Sequence, residues 1–169
     1  LGRGILDASR IRAERIRDVT FRDCDLIHST HAACDIQNVD YAAVRDVTYE
    51  DIRIELDEGP LHPLMQRPGD AGYYDKGKGA YLPMAMCAIV LYHHEYSAGG
   101  TKRGTIDGVT FRNIRITAPR MPPSLFRGLD EEHGCRNIVM DGVYLNGKRV
   151  PAAESNAKAE KFAEFDWRE

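Results

Sequence analysis

Residues 16–26 read IRDVTFRDCDL, and the stretch returns as VRDVTYEDIRI at 44–54, IDGVTFRNIRI at 106–116 and CRNIVMDGVYL at 135–145. A unit that recurs in this way decides an architecture before any single segment does. Aligned, the copies give five columns that are apolar throughout. They are Ile16/Val44/Ile106/Cys135, Val19/Val47/Val109/Ile138, Phe21/Tyr49/Phe111/Met140, Cys24/Ile52/Ile114/Val143 and Leu26/Ile54/Ile116/Leu145. The second and third columns alternate, as do the fourth and fifth, so each half of the unit reads as a strand with one buried face. Between the halves the inward face skips once. That skip places a corner at Asp23, Asp51, Asn113 and Gly142, and a second corner precedes the strand at Asp18, Asp46, Gly108 and Asn137. Asp, Asn and Gly tolerate left-handed backbone, which such corners need.

The first residues of the copies lie 28, 62 and 29 positions apart, and the middle gap is one period plus an insertion. Strand, corner, strand and a return at constant period describe a solenoid coil. The apolar spacing of three and four that helical repeats require is missing. The expected fold is all-β: a right-handed parallel β-helix of four to five coils, with a long loop insertion at 57–86 and a C-terminal cap at 151–169. Residues 1–169 then form a single domain, expected to be the C-terminal part of a longer solenoid, because 1–9 reads as the end of an earlier strand and a turn.

Between the copies run the strands of the coil's other face. In HSTHAACDIQN (28–38), Cys34 and Ile36 are expected to point in and Asp35 and Gln37 out. In CAIVLYHHEY (87–96), Ile89 and Leu91 are expected in and Val90 and Tyr92 out. A third such strand is expected at 125–127. Residues 152–163, AAESNAKAEKFA, have a helix-forming composition, and 162–167 read as a last short strand or as a cover over the end coil. Asn146-Gly147 is a tight-turn pair.

A net charge of −3 gives no general attraction to nucleic acid, and no apolar run reaches the length of a membrane span. No signal-peptide pattern occurs in the sequence. Cys24 and Cys135 fall in inward columns as small hydrophobes. Cys34 and Cys87 lie before similar strands on successive coils, which leaves both a disulfide and free thiols open. No Cys-x-x-Cys pair occurs, and neighbouring strand residues such as His93, His94 and Glu95 point to opposite faces, so neither a metal nor another cofactor is expected.

The copies VTFRDCDLIH, VTYEDIRIEL and VTFRNIRITA resemble coils of the pectin-lyase-like superfamily. The segment at 122–150, PPSLFRGLDEEHGCRNIVMDGVYLNGKRV, is similar to the C-terminal coils of polygalacturonase-like glycoside hydrolases of family 28. The resemblance covers nearly the whole chain. It departs from the polygalacturonases in lacking their Asp-Asp, Gly-His-Gly and Arg-x-Lys signatures. It implies a parallel β-helix that hydrolyses polysaccharide, secreted or periplasmic, with polysaccharide or oligosaccharide as its partner. Other partners it brings in are further N-terminal coils or a second copy of the chain. The alternative is a non-catalytic carbohydrate-binding or structural β-helix.

Inverting glycoside hydrolysis needs two carboxyls roughly 6.5–9.5 Å apart, and neighbouring coils lie about 4.8 Å apart, so outward carboxylates one or two coils apart suit it. Asp35 is the first catalytic candidate, with His31 and Gln37 beside it. Glu95 is the second, with His94 at the same level of the next coil. Arg127 follows one coil further and suits a uronate carboxylate. Tyr74, in the Gly-, Pro- and Tyr-rich insertion, is the candidate for stacking on a sugar ring. The corner residues Asp18, Asp23, Asp46 and Asp51 read as structural, and His133 as the holder of a turn.

Overall fold

The computed structural model describes residues 15–29, 32–58, 82–91 and 103–168. They form an all-β fold in which the only helical element is a single 3₁₀ turn, Ala152–Glu154. None of the described residues forms a helix long and apolar enough to cross a membrane.

The four repeat copies make one parallel sheet. Strands β1 (Arg15–Arg22) and β2 (Asp25–Ile27) are the first copy, β4 (Ala43–Glu50) and β5 (Arg53–Glu55) the second, β7 (Thr105–Thr117) the third and β9 (Cys135–Leu145) the fourth. Their pairing is the column alignment of the sequence: Val19 lies beside Val47, Val47 beside Val109 and Val109 beside Ile138. The intervening strands make a second parallel sheet in the order β3 (Ala32–Asn38), β6 (Met84–Val90), β8 (Ser124–Arg127) and β11 (Ala157–Glu160). The chain passes from one sheet to the other and back with each period.

The corners take the backbone their residues favour. Asp18, Asp23, Asp46, Asp51, Asn113 and Asn137 all have φ between 51° and 57°, and Gly108 and Gly142 have φ of 78° and 75°. Side chains there also bond from one copy to the next: Asn137 Nδ2 donates to Asp107 Oδ1 at 2.6 Å, and Asn113 Nδ2 donates to the Asp51 carboxylate.

The core lies between the sheets. Phe111, Ile114, Ile106 and Val109 from the first sheet and Met86, Ala88 and Phe126 from the second are fully buried. Each large apolar side chain removed from water contributes about 1.5–3 kcal/mol. The Phe111 ring meets Phe126 across the core at 6.0 Å, and Phe126 meets Phe165 at 5.6 Å. Along the first sheet, Phe21 stacks on Tyr49 at 4.9 Å and Tyr49 on Phe111 at 5.2 Å.

Three local expectations change, and one alternative left open is decided. Residues 152–163 are not a helix: β11 extends the second sheet and β12 (Ala163–Arg168) extends the first, pairing parallel with β9. Phe165 sits beside Ile138 and Trp167 beside Met140, so 163–168 is a fifth copy, with a register shift after Ala163. The insertion expected at 57–86 ends earlier, because β6 begins at Met84. The facing of β6 is also reversed. Ala88 pairs with Ile36, while Cys87 and Ile89 lie level with Asp35 and Gln37. Nearly every residue of MAMCAIV is apolar and buried, as in strands covered on both faces, so alternation had no phase to reveal. Finally, all four cysteines are free. Cys34 pairs with Met86 and Asp35 with Cys87, which sends the Cys34 and Cys87 side chains to opposite faces of the sheet.

After β9, Asn146 and Gly147, with φ of 50° and 81°, turn the chain into β10 (Lys148–Arg149), antiparallel to β9. This is the expected tight turn.

Candidate functional site

Of the residues singled out from sequence, Asp35, Gln37 and Arg127 are described, whereas His31, Tyr74, His94 and Glu95 lie outside the described residues. Asp35 and Gln37 are exposed on β3, on the face away from the core. Gln37 Nε2 donates to Asp35 Oδ2 at 2.8 Å. Across the sheet, Gln37, Ile89 and Arg127 form one row and Asp35, Cys87 and Leu125 the next. Asp35 and Arg127 therefore share a face but stand two strands apart and two residues out of step, roughly 12 Å. Between them are Cys87 and Ile89, both buried. Arg127 is directed to Glu160 on β11, at 3.9 Å. Burial, and secondarily the charge of Asp35, push the Cys87 thiol up, so it stays protonated and unreactive.

His133 does hold a turn. Asp130 Oδ1 accepts from the His133 backbone N–H at 2.8 Å and the Glu132 N–H at 3.0 Å, and stands 2.7 Å from His133 Nδ1. The His133 backbone N–H, first among these contacts, lowers the Asp130 pKa.

A concave surface lies on the other sheet, outside the second halves of the copies. A groove of about 720 Å³ is lined by Asp25, Arg53, Glu55, Arg115, Thr117 and Tyr144, among others. The repeat builds it. Once Ile54, Ile116 and their column mates turn inward, the alternate residues must turn out, and register stacks them coil on coil. One row reads Asp25, Arg53, Arg115, Tyr144 and the next reads Ile27, Glu55, Thr117.

Within the first row, Arg53 grips Asp25 with both Nε and Nη2, the latter at 2.7 Å. Arg53's hydrogen bonds hold the Asp25 carboxyl below its usual pKa, so Asp25 is ionised. Arg115 has no ion-pair partner among the described residues. It presents an open guanidinium between the Arg53–Asp25 pair and the Tyr144 ring. A fork of fixed donors beside an aromatic ring can hold a carboxylate or a ring of hydroxyls. Sequence reasoning did not single these residues out as a site. The available signal was their column, Asp-Arg-Arg-Tyr, which becomes a surface only once the copies are stacked.

A second outward feature runs beside the first corner. Arg22 pairs with Glu50 at 2.8 Å, Glu50 with Arg112 at 3.3 Å, and Arg112 with Asp141 at 3.4 Å, giving charges that alternate from copy to copy. Arg168 occupies the next place in this row, beside Asp141. Among the described residues, no three His, Cys, Asp or Glu side chains are grouped so that they could hold a metal ion. No family model, curated protein or solved structure matches the chain.

Proposed function

We propose that the two sheets are faces of one right-handed parallel β-helix of the pectin-lyase-like kind, and that the protein acts on polysaccharide as a polygalacturonase-like glycoside hydrolase. The alternation of the chain between two in-register parallel sheets, with rings meeting across the space between them, supports the β-helix. The observation that carries the functional reading is the groove: an open trough across successive coils, floored by Arg115 and Tyr144. A groove that runs across coils suits a polymer better than a small molecule.

Its chemistry can be extended to cleavage. Asp25 and Glu55 face outward on adjacent strands, two residues out of step, which sets their Cα atoms about 8 Å apart. Inverting hydrolysis needs its two carboxyl groups roughly 6.5–9.5 Å apart, a span that side chains on Cα atoms so placed can reach. Asp25, held ionised by Arg53, suits the base that activates water. Glu55, on the neighbouring strand, then suits the acid that gives a proton to the leaving oxygen. Asp35 and Arg127, the described members of the first-expected cleft, lie on the opposite sheet, which is the competing location.

Release of reducing ends from polygalacturonate, with neutral glucans as controls, tests the reading. Glu55→Gln is expected to abolish release and leave binding intact, while Arg115→Ala weakens binding at least tenfold. Loss of release in Asp35→Asn but not in Glu55→Gln moves the active site to the other sheet. Binding without release by the intact protein favours the second reading, a non-catalytic carbohydrate-binding β-helix. The bidentate tie on Asp25 supports that reading, because it restrains the carboxylate. No binding to any polysaccharide overturns both.

A further inference from the structure

The first sheet begins on β1 and β2, and among the described residues no strand pairs with their outer edge. An uncovered edge is a template for another strand. This one also opens the core columns. Ile16 and Phe21 are 48% and 45% exposed, whereas Val44 and Tyr49, next in the same columns, are 5% and 7%. Phe21 stacks on Tyr49 with one ring face and, among the described residues, makes no ring contact on the other. Arg22 stands at the end of the alternating charge row and is 60% exposed.

We propose that this edge is a docking surface for a further strand–corner–strand coil, laid parallel on β1 and β2, that brings an aromatic ring over Phe21 and a carboxylate beside Arg22. The occupant follows from the two rows. The Phe21 column carries rings in three successive coils, and aromatic pairs prefer such offset stacking. The Arg22 row alternates in sign, and a like charge directly opposite is destabilising. A second copy fits poorly by either of its edges. Its own β1 brings Arg15, Arg17 and Arg22 against the same arginines, and its β12 brings Arg168 onto Arg22. Residues 1–14 contain carboxylates, Asp7 and Glu14, but no aromatic residue. Main-chain hydrogen bonds along the edge supply affinity, and the ring and charge positions supply selectivity. The inference rests on the sheet edge alone and stands apart from the polysaccharide reading.

The test uses the full chain and two synthetic peptides cut from its own repeats. The 43–56 peptide, AVRDVTYEDIRIEL, offers Tyr and Glu at the two positions; the 105–118 peptide, TIDGVTFRNIRITA, offers Phe and Arg. Fluorescence anisotropy of labelled peptides is expected to show the first binding at least tenfold more tightly. Arg22→Glu, a change at an exposed side chain, reverses the preference, and Phe21→Ala weakens both peptides. Absence of binding by the first peptide, equal binding of the two, or indifference to Arg22→Glu overturns the proposal. So does a concentration-dependent dimer that Phe21→Ala dissolves, since that assigns the edge to a second copy.

Discussion

The two sheets share a core but not a grammar. The first is written in long copies with fixed columns and left-handed corners. The second is written in short strands of four to seven residues with no corner of that kind inside them. The first sheet thus sets the period, and the second follows it, filling whatever space the rings of the first leave open. Position along the axis is a property of one sheet, and fit is a property of the other.

The sharpest way to break this comparison is to remove one ring from each sheet. Phe111 and Phe126 are both fully buried and in contact. Phe111→Ala and Phe126→Ala are each expected to cost about 3–5 kcal/mol in urea unfolding. The double variant is expected to cost less than the sum, because the two share one contact. Full additivity would mean that the sheets do not close on a common core.

Next in size is an alkaline effect that draws on both sheets. Burial raises the pKa of Cys34, in the second sheet, and of Cys135, in the first, to about 12 from 9.0. A raised folded pKa contributes stability that is complete below pH 9 and is lost as pH climbs from 9 towards 12. Each thiol is expected to contribute a slope of about 1.4 kcal/mol per pH unit in that window. Urea midpoints measured at intervals above pH 9 check it, and Cys34→Ala with Cys135→Ala should make the curve shallower while leaving the part due to the other raised groups, Cys87 and Tyr49.

Smaller still is the corner test. Asn113 has φ of 51°, so Asn113→Ala is expected to cost about 1–2 kcal/mol for left-handed backbone without a helpful side chain. Gln37→Ala, on the exposed face of the second sheet, should stay within about 0.5 kcal/mol. Comparable losses at the two sites would erase the distinction between a sheet that sets the period and one that follows. Glu50→Gln is likewise expected to have a small effect, about 0.2–1 kcal/mol and reduced by salt, because surface ion pairs contribute little each.

Much of the first sheet was legible because period two, skipped once at a corner, leaves a mark that stacking repeats. Every Asp, Asn and Gly read as a corner has the positive φ that the reading required. The fifth copy escaped because its approach is one residue short: Ala163 leads to Phe165 in two steps, where Cys135 leads to Ile138 in three. The facing of β6 escaped because nearly every residue in it is apolar. The groove escaped for a different reason. Asp25, Arg53, Arg115 and Tyr144 are ordinary surface residues taken singly, and only the register that aligns their strands gathers them. The Asp35 face was visible as chemistry, but the sequence did not show that Cys87 and Ile89 separate it from Arg127.

The alternating row from Arg22 to Arg168 also limits how such a chain can grow. Duplicating or deleting one coil inside it would set Arg against Arg or carboxylate against carboxylate at the new junction. Two coils gained or lost together would leave the signs in order. The row therefore acts on gene rearrangement as a parity rule, favouring changes of length by even numbers of coils.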